Sequence, residues 1–430
     1  MAETSPLLKL LVVFAGILVL NRLRLPLYLA LLLGGLAFNF WGGNAPAAVA
    51  GNFARALFNI DLWLLVVITA LTVEFGRELA DKRNTAALED IARRLGGDAG
   101  RLWSLMVLPA LIGLMPMPAG ALFSAPLVQQ AAHEGHWKPE WKAAVNYWFR
   151  HVWEYWWPIY PAVIIGIAVF KMDTWRFIAA MILFTPAAFA AGYFFLIRPH
   201  RRRLALAQAR SAGSLRRFLV LMWPLAVVIM CVILLPPVMS RVFPAIGAQT
   251  NKLLAMLIGI AIGLFIIWRR TRGESKLFAS FFNARNLGIQ VTIGSIIHFQ
   301  SMLETSQLLP AASAELVQSG ISLIPIVAIL PFLAGLITGI AAGFAGIAFP
   351  LIVGLLESGG CGLTPMATLA LAFGFGYMGM MVSPIHLCLI MTRDYFSARL
   401  VPIYRQLAPV VAAQTLVVVL IFLFFKALGL

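Results

Sequence analysis

The chain alternates between long apolar runs and short polar breaks. Ten runs, at about 6–21, 25–42, 57–75, 143–170, 176–197, 218–238, 251–268, 284–300, 364–391 and 403–425, are read as crossings of a hydrocarbon core of ~30 Å. Two further apolar stretches, about 102–132 and 320–357, are too long for one crossing and carry Pro or Gly in their middles. A hairpin that enters the membrane and returns is expected at each. The runs at about 143–170 and 364–391 are broken by Pro. The pattern predicts an all-α polytopic membrane protein with about ten transmembrane helices and two re-entrant helical hairpins.

Composition agrees. Hydrophobic residues make up 61% and charged residues 12% of the 430, against roughly 45–50% and about 25% in soluble domains. The mean hydropathy is +0.90. This excludes a soluble globule and, for the same reason, a disordered chain. The net charge of +16 sits in short loops between apolar runs, so it reads as topology and not as a nucleic-acid surface. With the loop at Arg22 and Arg24 placed in the cytoplasm, 25 of the 33 basic residues fall on that side, 7 fall on the other, and Arg150 alone is left inside the membrane. The split satisfies the positive-inside rule only if both hairpins are re-entrant. Both termini are then expected outside, and Glu3 ahead of the first run, with no basic cluster, argues for a span rather than a secretory signal. The expected location is a bacterial or archaeal cytoplasmic membrane.

The chain also matches itself. An offset of 224 puts Leu57-Phe58-Asn59 on Phe281-Phe282-Asn283, Glu74-Phe75 on His298-Phe299 and Pro126 on Pro350; an offset of 226 puts Pro158 on Pro384. Residues 1–197 and 218–430 then read as two inverted repeats, joined by a basic cytoplasmic linker at 198–217. The polar segment 77–101 carries six basic residues, and its counterpart 301–318 carries Glu304, Glu315 and no Lys or Arg, as opposite sidedness requires.

Inverted repeats with interrupted helices point to a secondary transporter whose site lies at the midplane. A helix broken in mid-membrane exposes N–H groups that suit an anion and C=O groups that suit a cation. Four breaks qualify: Pro116-Met117-Pro118-Ala119-Gly120 with Ser124 beyond it; Trp156-Trp157-Pro158-Ile159-Tyr160-Pro161; Gly343-Phe344-Ala345-Gly346; and Ser383-Pro384-Ile385-His386. Arg150 and Glu154 fall at i,i+4 on one helix face with His151 beside them. Intramembrane charges are costly and mark pathways or relays. One reading has Arg150 attract an anion while Glu154 or His151 carries a coupling proton; the other has a structural ion pair holding the broken helix. His386 is the second proton candidate. The Trp and Tyr residues of 147–160 read as packing; Asn283, Asn286 and Gln290, on one face of a span that also carries Thr292, Ser295 and His298, read as a polar seam between helices.

No enzyme signature is present: no P-loop, H-E-x-x-H or G-x-S-x-G. Cys231, Cys361 and Cys388 lie far apart, with no CxxC and no Cys/His spacing that indicates a metal or a disulfide.

The layout resembles the ion transporter superfamily, which includes divalent-anion:sodium symporters, arsenite permeases, gluconate permeases and the large membrane subunits of TRAP transporters. The strings Leu114–Pro126 and Asn146–Pro161 look like an uncharacterised prokaryotic family assigned to it. The resemblance implies an elevator mechanism, with hairpins and broken helices forming a mobile domain on a dimeric scaffold. The dicarboxylate symporters carry Ser-Asn-Thr at their hairpin tips, which this chain lacks, so a more hydrophobic anion is expected. The function expected is secondary active transport of an organic or amphiphilic anion, coupled to protons or sodium, by a homodimer in contact with lipid. No cofactor and no nucleic acid is expected. The alternatives are a subunit of a TRAP-like transporter, a channel, a lipid-carrier flippase and, last, a membrane enzyme.

Overall fold

A computed structural model describes residues 5–79, 100–116, 120–132, 137–200, 215–271, 284–358 and 362–430. Every element among them is helical. The first half holds α1 (Pro6–Arg22), α2 (Leu27–Trp41), α3 (Pro46–Leu57), α4 (Ile60–Leu79), α5 (Gly100–Gly113), α6 (Ala121–Ala131), α7 (Pro139–Arg150), α8 (Pro161–Val169), α9 (Thr174–Met181) and α10 (Phe184–Gly192). The second holds α11 (Leu215–Val242), α12 (Ala248–Arg270), α13 (Ala284–Glu304), α14 (Leu308–Gln318), α15 (Ile324–Thr338), α16 (Ala341–Glu357), α17 (Pro365–Met381), α18 (Leu387–Tyr395) and α19 (Leu400–Leu428). Most of the polar segment 77–101 and of the linker 198–217 lies outside the described residues, as do Phe281–Asn283 and Cys361.

Four segments, Thr174–His200, Leu219–Val242, Ala248–Arg270 and Leu400–Leu428, are long and apolar enough to cross a membrane alone. Helices α3 and α4, bent by 46° where they meet, count as a fifth where the pair is taken as one broken span and not as a re-entrant loop. The apolar helices Leu27–Trp41, Trp103–Gly113, Ile324–Thr338, Ala341–Glu357 and Pro365–Met381 are 10–17 residues long. At 1.5 Å per residue, an eleven-residue helix covers about 17 Å, roughly half a bilayer core. Helices this short leave their ends inside the protein, where side chains must satisfy the terminal peptide groups.

The expected break at Gly343-Phe344-Ala345-Gly346 is corrected: these residues lie within α16, and the chain reverses at Gly339 and Ile340. Gly339 takes φ +66°, the left-handed region that lets α15 stop and the chain turn without a Cβ clash. Gly343–Gly346 are instead fully packed. Gly346 meets Ile296 of α13, and Phe344 joins Phe349 and Phe373 in an aromatic cluster.

The two halves interlock. α2 packs on α13, α4 on α12, α1 on α14, and α7 on both α18 and α19. Asn39 of α2 ties one of these contacts. Fully buried, it donates to the Met302 carbonyl of α13 at 2.7 Å and accepts from Asn44 at 2.8 Å and Asn52 at 3.2 Å. Asn39→Leu leaves these partners unmatched, and each buried polar group so stranded costs about 1–3 kcal/mol. The expected outcome is a clear fall in the melting temperature of the purified protein, larger than that of Asn44→Ala at the half-exposed edge of the cluster.

Candidate functional site

Helix α7 is regular up to Arg150, where it stops. The ten residues His151–Tyr160 form successive tight turns before α8 begins at Pro161. Pro158 and Pro161 supply no N–H to carbonyls one turn back, so the helix cannot run through them. The break nevertheless opens at His151, ahead of the Trp156 expected from the sequence. The reason lies in other elements, which take the carbonyls. The His151 carbonyl accepts from the Tyr377 hydroxyl at 2.7 Å, and the Val152 carbonyl from the Thr185 hydroxyl at 2.5 Å. The indole N–H groups of Trp153 and Trp157 donate to the Ala110 and Leu114 carbonyls of the α5 end, and Trp156 to Thr185. These indoles fasten the break to its surroundings, in line with the packing reading.

A shorter break lies between α17 and α18. Helix α17 ends at Met381 and α18 starts at Leu387. The Met381 carbonyl accepts from Tyr147 at 3.0 Å and the Val382 carbonyl from Tyr404 at 3.1 Å. Ser383 donates to the Leu336 carbonyl at the end of α15 at 2.7 Å.

These breaks and the two helix turns surround a cavity of about 410 Å3. Its wall takes Pro116 from the α5–α6 turn, Gly339 to Ala342 from the α15–α16 turn, Arg150, His151, Glu154, Tyr160 and Pro161 from the first break, and Met380, His386, Leu387 and Cys388 from the second. Thr72 and Val73 of α4 and Gly288, Ile289, Thr292 and Ile293 of α13 close it. The lining is mainly aliphatic, and its charged and titratable groups come from the two breaks and the helix ends beside them.

Arg150 is 1% exposed. It donates to Glu154 Oε1 at 2.9 Å and to the Tyr160 hydroxyl at 3.3 Å, while Tyr160 donates to the Gly113 carbonyl at 2.5 Å. A side chain at Gly120 would collide with the guanidinium, so that glycine makes the space Arg150 fills. The pair expected along one helix face forms across the break instead. Beside it, His151 Nε2 lies 3.9 Å from Glu154 Oε1 and 3.2 Å from His386 Nε2. The Nδ1 atoms of His151 and His386 lie 2.5 and 2.7 Å from the carbonyl oxygens of Tyr147 and Gly339. Cys388 completes a group whose three ligand-capable atoms all lie within 4.8 Å of one another.

Of the expected site residues, Pro116, Arg150, His151, Glu154, Tyr160 and His386 line the cavity and Gly120 backs it. Ser124, bonded to the Ala121 carbonyl, Trp157, Ser383 and residues 343–346 support it without lining it. Pro158 is buried, and Pro384 is exposed away from it. Met117, Pro118 and Ala119 lie outside the described residues. Sequence reasoning missed Thr72, Gly288, Ile289, the Ile340 turn and Cys388. A small-residue pattern on α13 (Gly288, Thr292) was the available signal, whereas Cys388 only becomes visible once 235 residues of separation are folded away between the two histidines.

A family model, DUF401, described as a protein of unknown function, matches residues 53–425, and the chain belongs to this family. No curated protein matches it. Among solved structures, a YdaH transporter from Alcanivorax borkumensis, described as having an unusual topology, aligns over 89% of this chain and 87% of its own at 16% identity, with a TM-score of 0.49.

The buried pair makes a stability prediction. Arg150→Met strands the Glu154 carboxylate, and breaking a buried pair from one side costs about 3–5 kcal/mol. Arg150→Met with Glu154→Gln removes both charges and should recover most of that loss. Thermal melting of wild type, both single variants and the double variant gives the coupling; additive effects of the two substitutions would show that the pair is not one unit.

Proposed function

We propose that this DUF401 protein is a secondary active carrier that moves an organic or amphiphilic anion across the cytoplasmic membrane. The observation that supports this best is a buried guanidinium in the wall of a largely aliphatic cavity, where two helix breaks and two helix turns meet. An arginine there attracts a carboxylate, sulfonate or phosphate headgroup. The aliphatic lining favours a hydrophobic body over a compact dicarboxylate.

On this reading the two halves are inverted repeats, and the chain makes about ten crossings. The segments α5–α6 and α15–α16 are re-entrant hairpins, α7–α8 and α17–α18 are broken spans, and the basic linker is cytoplasmic. The like order of elements in the two halves supports it, with a helix–turn–helix, then a helix–break–helix, then a long closing segment in each. The superfamily resemblance adds an elevator movement, a homodimer and coupling to protons or sodium. A carrier, and not an enzyme, is the class assigned.

Two experiments check the reading. A thermal-shift screen of organic anions against the purified protein, at varied pH and sodium, should find amphiphilic anions that stabilise it; a ligand at a hundred times its Kd adds about 2.7 kcal/mol. The folded Arg150→Met/Glu154→Gln variant should lose that shift and, in proteoliposomes, lose saturable flux of the same anion. Unchanged flux from the variant would sink the role of Arg150, and flux that does not saturate in wild type would indicate a channel. For the topology, single cysteines placed at 80–99 and at 138–140, on either side of the first hairpin, should react with a membrane-impermeant reagent from the same face; labelling from opposite faces would overturn the re-entrant reading of that hairpin.

A further inference from the structure

We propose that His151, His386 and Cys388 form a binding site for a borderline-soft metal ion, Zn2+ in the first place. His151 comes from the first break, His386 and Cys388 from the end of the second and the start of α18 more than two hundred residues away, yet their donor atoms converge within 4.8 Å and each side chain is buried.

The tautomers carry the argument. A carbonyl oxygen can only accept, so the hydrogen of each imidazole sits on the Nδ1 that faces the Tyr147 or Gly339 carbonyl. Each Nε2 then presents a lone pair. The two Nε2 atoms face one another at 3.2 Å, an arrangement that repels unless a cation lies between them. Two imidazole nitrogens held at 2.0–2.1 Å by a tetrahedral Zn2+ stand about 3.3 Å apart. An N–H to a backbone carbonyl is also the usual outer partner of a metal-bound histidine, because it fixes the ring and raises its basicity.

Two imidazoles with a thiolate suit Zn2+ or Cu+ and not Mg2+ or Ca2+. All three side chains border the cavity, so the fourth position opens onto it and is filled by water or by a donor atom of whatever the cavity holds. Glu154, at 3.9 Å from His151, is engaged by Arg150 and stays outside the set. A proton shared by the two rings is the rival occupant. It would need no sulfur, and the test separates the two. The inference does not depend on anion transport.

The experiment uses the full chain in detergent, with Cys231→Ser and Cys361→Ser so that Cys388 is the sole thiol. After treatment with a chelator, Co2+ is titrated in. The expected result is one equivalent bound, with tetrahedral d–d absorption and a thiolate-to-cobalt charge-transfer band, both abolished by Zn2+. In this background Cys388→Ser should remove the charge-transfer band, and His386→Ala should weaken Co2+ binding by more than the roughly 10–100-fold typical of losing an outer partner. X-ray absorption on the Zn2+-loaded protein with native cysteines should show two imidazoles and one sulfur, and keeps the proposal open to refutation if a variant does not fold. A monodisperse wild-type protein that takes up no Co2+ or Zn2+, or that binds it without sulfur, overturns the proposal and leaves the shared proton.

Discussion

A peptide group without a partner in an apolar interior costs several kcal/mol, and this constraint shapes the centre of the molecule. Two chains of backbone leave helical geometry there, at His151–Tyr160 and Val382–His386. Neither could persist alone. Hydroxyls brought in from neighbouring helices take up the freed carbonyls, and the traffic runs both ways between the halves: Tyr377 serves His151, and Tyr147 serves Met381. The cavity is the space such an arrangement leaves behind, and three of its polar groups, His151, His386 and Tyr160, also bond backbone carbonyls.

Much of this was legible in the sequence, because the cues were covalent. Proline at 158, 161 and 384 removes donors wherever it sits, and the breaks lie around those positions. Apolar run lengths marked the helices, whereas the fit of Gly120 against Arg150, 30 residues further along, is made by folding. Other features were not legible, for a physical reason in each case. The turn at Gly339 and not at Gly343 depends on which glycine takes a positive φ, and a run containing Gly335, Gly339, Gly343 and Gly346 offers four candidates. The opening of the break at His151 depends on Tyr377 and Thr185, which are distant in the chain. Cys388 looked isolated because its partners are supplied by folding and not by spacing.

Arg150 holds its neighbourhood together electrostatically. Its fork engages Glu154 and Tyr160, Tyr160 engages Gly113, and Gly120 leaves the space the guanidinium fills. One side chain therefore fixes the α5–α6 turn, the first break and the start of α8 relative to one another. The histidine pair does the same between the two breaks and the α15–α16 turn, through the Gly339 carbonyl. The site and the architecture share their contacts, so a change in cavity occupancy acts on the packing of both halves.

The bond from Tyr377 to His151 also has a consequence for synthesis. The acceptor precedes its donor by 226 residues, and a ribosome adding about 5–20 residues per second needs roughly ten to forty-five seconds to cover that distance. For that interval the first break must find water, lipid headgroups or an insertion chaperone as a stand-in. Completion of the first half is thus a late, post-insertion event, and a nascent chain stalled before residue 377 is the form most exposed to quality control.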